Sequence, residues 1–251
     1  LTLSLEQMIP PTPGQQVKEP MHIPLAIGLI LGNGSDAVPT AVTGGEYTDG
    51  VLHLTERAQE VVFEGISSRP VVSLNRSFSA PINLNFDQPA DDIIHIARHD
   101  SDLFSRWQAL TDLALPNLMQ AARDAREGRE ITCDPALIAA LLEAAADDTL
   151  EPAFRAQALA LPSESDIARE IGSNIDPDRI HAVRNGIIRS IAVKSESEFS
   201  GLIESMKNDA AFSPDAASAG RRTLANAALT WLSYAEETPA RAAAAYARAD
   251  N

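Results

Sequence analysis

Near residue 90 the chain changes character, and this change constrains the fold more than any single motif does. The first 90 residues hold 8 Gly, 9 Pro and 6 Ala, whereas the remaining 161 hold 5 Gly, 7 Pro and 35 Ala. Glycine and proline punctuate turns, while alanine enters a helix without losing side-chain entropy. The front is therefore expected to be β and the back α, as two domains over residues 1–90 and 91–251.

The apolar period changes at the same place. In the front part it is two, as at Leu1, Leu3 and Leu5, then Ile23, Leu25, Ile27 and Leu29, then Val72 and Leu74, and again Ile82, Leu84 and Phe86. Each run predicts a strand with one buried face, and Val51 to Thr55 and Gln59 to Phe63 add two more. Turns fall at Pro10-Pro11-Thr12-Pro13-Gly14, Gly32-Asn33-Gly34 and Gly44-Gly45. Short strands spaced in this way predict an immunoglobulin-like sandwich. Its first strand, in full alternation from Leu1, is expected at a sheet edge.

Beyond residue 90 the period becomes 3.6. Leu103, Trp107, Leu110, Ala114 and Leu118 form one stripe, Ile180, Val183, Ile187 and Ile191 a second, and Leu224, Ala228 and Trp231 a third. A capping residue before proline predicts helix starts at Asp134-Pro135, Asp176-Pro177, Ser213-Pro214 and Thr238-Pro239. Pro116 lies inside the first stripe and is expected to kink or break that helix. Short connections of irregular spacing predict antiparallel helical pairs stacked in a solenoid-like domain. The alanine-rich end, Arg241 to Ala249, is expected to be a helix with incomplete packing.

Charge bounds the partners. Asp plus Glu is 35 against 20 Lys plus Arg, giving a net charge of -15 and a pI near 4.7. Such a surface repels phosphate backbones and anionic headgroups, so neither a nucleic-acid nor a membrane partner is expected. No apolar run reaches the roughly 18 residues of a membrane span. The single cysteine, Cys133, cannot form an internal disulfide, which suits a reducing cytoplasm.

The sharpest chemical signal is His95-Ile96-Ala97-Arg98-His99, since histidines four apart share a helix face and can chelate a metal. Ile96 stands where an H-E-x-x-H hydrolase needs the glutamate that activates metal-bound water, and Leu118 stands where a downstream glutamate ligand would fall. The pair is read as a polar or packing surface. Of the other histidines, His22 and His53 belong to the sandwich and His181 to a later helix, so spacing offers no metal triad. The acidic pairs Asp91-Asp92, Asp147-Asp148 and Glu236-Glu237 lie near predicted helix ends and read as caps or solvated surface. Gly28, Gly32 and Gly34 do not match a dinucleotide fingerprint, and no P-loop or G-x-S-x-G occurs. Cys133 precedes a helix cap, where a lowered pKa is conceivable, yet it reads as structural. Arg221-Arg222 and Trp231 read as surface charge and core. No catalytic, cofactor-binding or metal-binding residue is therefore assigned.

Several strings nevertheless carry a specific resemblance. They are Leu1-Thr2-Leu3 leading to Pro10-Pro11-Thr12-Pro13, His22-Ile23-Pro24-Leu25-Ala26-Ile27 and Phe78-Ser79-Ala80-Pro81. They continue as Arg98-His99 to Asp102-Leu103-Phe104-Ser105-Arg106-Trp107, Leu161-Pro162-Ser163, Ile175-Asp176-Pro177 and Arg222-Thr223-Leu224-Ala225-Asn226-Ala227. Together they resemble the C-terminal half of bacterial aminopeptidase N, the alanyl aminopeptidase branch of the thermolysin-like zinc peptidases. In that family a catalytic domain precedes a small β-sandwich, and a large helical domain closes over the active site. The resemblance implies a fragment that supports and encloses the upstream catalytic domain of the same chain, in a parent that uses zinc to remove N-terminal residues from peptides. The family's H-E-x-x-H and G-A-M-E-N motifs are not found in these 251 residues. The fragment alone is thus expected to be inactive and to hold no zinc. The chain starts at Leu1 without an initiator Met, which fits a fragment better than the rival reading, a free-standing protein-interaction scaffold.

Overall fold

The computed structural model of the chain describes residues 1–208, 212–236 and 239–249. Two compact units, Leu1–Ala109 and Leu110–Asn251, divide it.

In the first unit β1 (Thr2–Glu6), β2 (Ile23–Ile30), β3 (Ala41–Thr43), β4 (Glu46–Thr48), β5 (Val51–Leu54), β6 (Ala58–Glu64) and β7 (Val71–Leu74) form two antiparallel sheets. One has the order β1-β6-β3 and the other β4-β5-β2-β7. This is the expected immunoglobulin-like sandwich. Leu25, Ile27 and Leu29 of β2, Leu52 of β5, Val61 and Phe63 of β6 and Val72 of β7 form its core. Burying each such side chain stabilises the fold by about 1.5–3 kcal/mol. Tyr47 meets Phe63 edge to face at 5.4 Å. Leu1 lies where its alternation puts it, on an edge: its amine donates to the Phe63 carbonyl at 3.0 Å and its own carbonyl accepts from the Phe63 amide at 2.8 Å.

Between β3 and β4 the chain crosses from one sheet to the other through Gly44, at φ 84°. A Cβ there would stand 1.9 Å from the Glu60 carbonyl oxygen, so glycine is required by both conformation and contact. The strands β3 and β4, three residues each, are too short to show a period in sequence.

The alternating run Ile82, Leu84 and Phe86 is not a strand, and Leu84 and Phe86 are exposed. Pro81 and Pro89 bound this segment and remove two ladder donors. Only a side chain reaches the edge strand β7 from it, where the Gln88 amide donates to the Val72 carbonyl at 2.8 Å. Alternation alone therefore does not make a strand, and this segment is a connector outside both sheets.

The sandwich is followed by α1 (Ala90–His99) and α2 (Leu103–Arg126), and the division between the units falls inside α2. Pro116 does not break α2, which continues to Arg126. The second unit adds α3 (Pro135–Ala146), α4 (Pro152–Ala158), α5 (Glu164–Ile171), α6 (Pro177–Lys194), α7 (Glu196–Ser205), α8 (Ala216–Ala235) and α9 (Ala240–Arg248). Asp134 caps α3 and Asp176 caps α6 through their carboxylates, as expected. The start of α8 lies past Ser213-Pro214, because Asp215 accepts from the Ser218 amide at 2.9 Å. A carboxylate there also meets the positive end of the helix dipole, which a serine hydroxyl cannot match. Thr238 and Glu237 lie outside the described residues.

Helix α8 organises the second unit, packing on α4, α6, α7 and α9. Its stripe Leu224, Ala228 and Trp231 is buried, as are Ile180, Val183, Ile187 and Ile191 of α6. The Trp231 ring stacks on Phe199 of α7 at 5.3 Å, and its indole N–H donates to the Leu159 carbonyl at 3.2 Å. In contrast, α9 buries no residue, and its Tyr246 is 86% exposed.

Candidate functional site

A polar cluster in the first unit is built on a glycine on the face of β2 opposite its core stripe. At Gly28 a Cβ would lie 1.9 Å from Cζ of Arg76, so the guanidinium lies directly on the strand backbone. From there Arg76 grips Asp36 with two bonds, Nη1 to Oδ2 at 2.9 Å and Nη2 to Oδ1 at 2.7 Å. Its Nη2 also lies 3.0 Å from Oδ1 of Asp100, whose side chain is fully buried. Burial pushes the Asp100 carboxyl above its ordinary range, with the Ser73 hydroxyl, the Asp102 amide and the Arg76 charge opposing that shift. The hydrogen bond from Arg76 holds Asp36 below the usual range despite partial burial.

The backbone beside Arg76 is strained. Asn75, Ser77 and Phe78 all have left-handed φ, at 60°, 55° and 53°, which costs Ser77 and Phe78 roughly 1–2 kcal/mol each, whereas asparagine tolerates it. Two side chains hold it. The Asn75 Oδ1 accepts from the Ala80 amide at 2.9 Å and the Ser79 hydroxyl at 3.0 Å, while its Nδ2 donates to the Ala80 carbonyl at 3.0 Å. The Asp102 carboxylate accepts from the amide and hydroxyl of Ser77 at 2.9 and 2.8 Å, and from those of Ser105 at 2.9 and 2.8 Å. Asp102 thus caps α2 and clamps the loop at once. Phe78 meets Phe104 at 5.7 Å, and Phe104 meets Trp107 at 5.8 Å. Two of the strings that carry the family resemblance, Phe78-Ser79-Ala80-Pro81 and Asp102 to Trp107, are therefore one structural element.

His95 bonds the Leu31 carbonyl at 2.8 Å, and a carbonyl only accepts, so Nε2 carries the proton and is not free for a metal. His99 lies beside His95 at 4.7 Å and packs on Gly34, where a Cβ would come within 2.9 Å of its Nδ1. His22 and His53 bond each other at 2.7 Å. His181 donates from Nδ1 to Glu164 at 2.7 Å and accepts at Nε2 from the Asn185 amide at 2.9 Å. Among the described residues no group of three or more His, Cys, Asp or Glu side chains is placed to hold a metal ion.

The remaining sequence candidates are also placed. Asp92 takes a bidentate pair from Arg69 at 3.0 and 2.6 Å. Asp147 turns the chain after α3, accepting from the Thr149 amide at 3.2 Å. Glu236 pairs with Arg241 at 3.0 Å. Burial, with the Asp134 charge behind it, pushes the Cys133 thiol up to about 11, opposite to the lowering that its place before a cap allowed. It stays protonated and inert at neutral pH. Arg222 lies over the Phe212 ring at 4.7 Å. Sequence reasoning missed Arg76, Asp36, Asp100 and Asp102; the readable signal was Gly28, since a glycine inside a strand marks close approach of another group.

A family model described as a domain of unknown function, DUF3458_C, with ARM repeats matches residues 90–251, and one described as DUF3458 with an Ig-like fold matches residues 1–87. The chain belongs to the DUF3458 family. The two matches meet just before α1, in agreement with the sandwich followed by stacked helices. This DUF3458 chain is 30% identical over 235 residues to an aminopeptidase N of Escherichia coli (strain K12), covering 94% of itself and 27% of that protein. It is 39% identical over 196 residues to an aminopeptidase N of Caulobacter vibrioides, covering 77% of itself and 22% of that protein. Its fold is similar to the crystal structure of Legionella pneumophila aminopeptidase A in complex with aspartic acid, at a TM-score of 0.71 and 22% identity over 93% of this chain and 26% of that one. The chain spans about a quarter of the length of the curated relatives it matches.

Proposed function

We propose that the chain is the non-catalytic sandwich and helical part of a longer zinc-dependent aminopeptidase, which removes N-terminal residues from peptides in the cytoplasm. The observation that carries this reading is the match along 94% of the chain to about a quarter of an aminopeptidase N. Residues 1–90 and 91–251 act as its two domains, and they support and enclose a catalytic domain carried elsewhere on the same polypeptide. Peptides are the substrates of that parent; nucleic acid and membrane are not partners, in keeping with the net charge of -15. Among the described residues no helix is long and apolar enough to cross a membrane.

The residues here do not fit the parent's zinc. His95 spends its Nε2 proton on Leu31, Ile96 replaces the general base, and catalytic zinc needs three ligands and an open position. The ion and its chemistry are assigned to the parent's other part. What this chain supplies is rigidity: Arg76 and Asp102 pin a strained loop, and α8 gathers the helices behind it in sequence. Reading the gene upstream of the Leu1 codon tests the proposal. An H-E-x-x-H with a downstream glutamate in the same frame is the expected result. A start codon immediately before Leu1 would favour the scaffold reading and overturn this one.

A further inference from the structure

The second unit contains a cleft of about 710 Å³ between the C-terminal end of α2, the segment that joins α5 to α6, and the start of α6. That volume lies within the range of sites for small ligands. Its floor is aliphatic, formed by Met119, Ile171, Ile175 and Ile180, and Ile175 stands 45% exposed. Its rim carries Arg123, Arg126 and Arg179, against one carboxylate, Asp176. That carboxylate is already engaged: Oδ1 caps α6 and Oδ2 lies 3.3 Å from Arg179.

A rim with three arginines runs against the sign of a chain with 35 acidic and 20 basic residues. The neighbouring acids at the end of α2 pair with another arginine, although the Asp124 carboxylate also feels the Arg123 charge. Asp124 takes Arg129 at 2.5 Å and the Gln120 amide at 2.8 Å, and Glu127 pairs with the same Arg129. Arg123 and Arg126 are one turn apart on α2, both exposed, and neither forms an ion pair among the described residues. Two like charges at that spacing repel by a few tenths of a kcal/mol, and an anion between them would relieve that repulsion. At physiological salt the screening length is about 8 Å, so the acidic remainder of the surface acts weakly in the cleft while these arginines act fully.

We propose that this cleft binds an acidic peptide segment, with carboxylates on Arg123 and Arg126 and an aliphatic side chain on Ile175 and Met119. Arginine forks suit carboxylates in pairs, and the Asn174 amide on the same wall is available to a peptide backbone. The proposal goes beyond the aminopeptidase reading, because the binding is noncovalent and is measured without turnover.

The test is calorimetric titration of the 251-residue chain with the N-acetylated, C-amidated tetrapeptide Glu-Leu-Glu-Ile, whose blocked amine cannot serve as an aminopeptidase substrate. Saturable 1:1 binding is expected, weakened about tenfold or more by Arg123→Gln with Arg126→Gln, the loss that charged hydrogen bonds carry. Ile175→Ser should weaken it about threefold, for the lost apolar contact, and Arg248→Gln on α9 should leave it unchanged. All four positions are exposed, so the variants should keep the wild-type circular dichroism. The peptides Gln-Leu-Gln-Ile and Lys-Leu-Lys-Ile should bind about tenfold less tightly, or not at all. The proposal is overturned if the acidic peptide fails to bind at about 1 mM. It is also overturned if the arginine pair is indifferent, if the lysine peptide binds as well, or if decanoate binds more tightly than the peptide.

Discussion

Replacing Arg76 with methionine is expected to destabilise the sandwich unit by about 3–5 kcal/mol, the range for removing one partner of a buried ion pair. The side chain is 14% exposed and that of Asp100 is fully buried, so the variant leaves a carboxylate in the interior without its cation. Removal also frees Asp36, which accepts two bonds from the same guanidinium. The pH dependence has a definite sign. Burial already raises Asp100 in the wild type, and without Arg76 its folded pKa rises further above the unfolded value of about 3.9. A folded state that binds a proton more tightly than the unfolded chain loses stability as pH rises through that interval. The deficit of the variant should therefore be largest at neutral pH and shrink on acidification. Gly28→Ala should approach the same loss, because its Cβ would displace the guanidinium. In the Arg76→Met background it should cost little, so the two changes are strongly non-additive. Chemical denaturation followed by Trp107, the tryptophan of the first unit, reads all three variants.

Trp231→Ala is expected to cost the helical unit about 3–5 kcal/mol. The ring is 5% exposed, stacks on a fully buried Phe199, and satisfies the Leu159 carbonyl. Truncation opens a cavity at the meeting point of α7 and α8 and leaves that carbonyl without its donor. For a unit of this size the transition should fall by roughly 10 °C or more. Trp231→Phe keeps most of the packing and loses the donor, so it should cost about 1–3 kcal/mol. In scanning calorimetry the helical transition should move while Trp107 fluorescence still reports the sandwich. A loss below about 1 kcal/mol for the alanine variant would contradict the place given to α8.

The architecture was legible because two independent signals, the glycine-to-alanine shift and the change of apolar period, change at one point. Stripes such as Ile180, Val183, Ile187 and Ile191 were readable for the same reason: every member is buried. Local pattern failed where pairing or competition decided the outcome. Ile82, Leu84 and Phe86 alternate as a strand does, but they lie outside both sheets, between two prolines. Ser213-Pro214 has the form of a helix start, but Asp215 next to it is the stronger cap. Pro116 lies in a long helix that continues past it. The polar cluster was illegible for a different reason: Gly28, Asp36, Arg76, Asp100 and Asp102 come together only when β2, its following turn, the 75–80 loop and the α1–α2 junction are folded. Only Gly28 could have marked it beforehand, as a glycine within a strand, where another group comes close to the backbone.

One paired measurement tests whether this chain is the non-catalytic part of a zinc aminopeptidase. Bound zinc after dialysis against chelator and reloading, together with hydrolysis of an alanyl chromogenic substrate, should be compared between the 251-residue chain and the complete product of its gene. About one zinc and chelator-sensitive turnover are expected in the complete product, with neither in the 251-residue chain even at high concentration. Stoichiometric zinc with turnover in the 251-residue chain, abolished by His95→Ala and His99→Ala, would contradict it, as would a complete product without aminopeptidase activity.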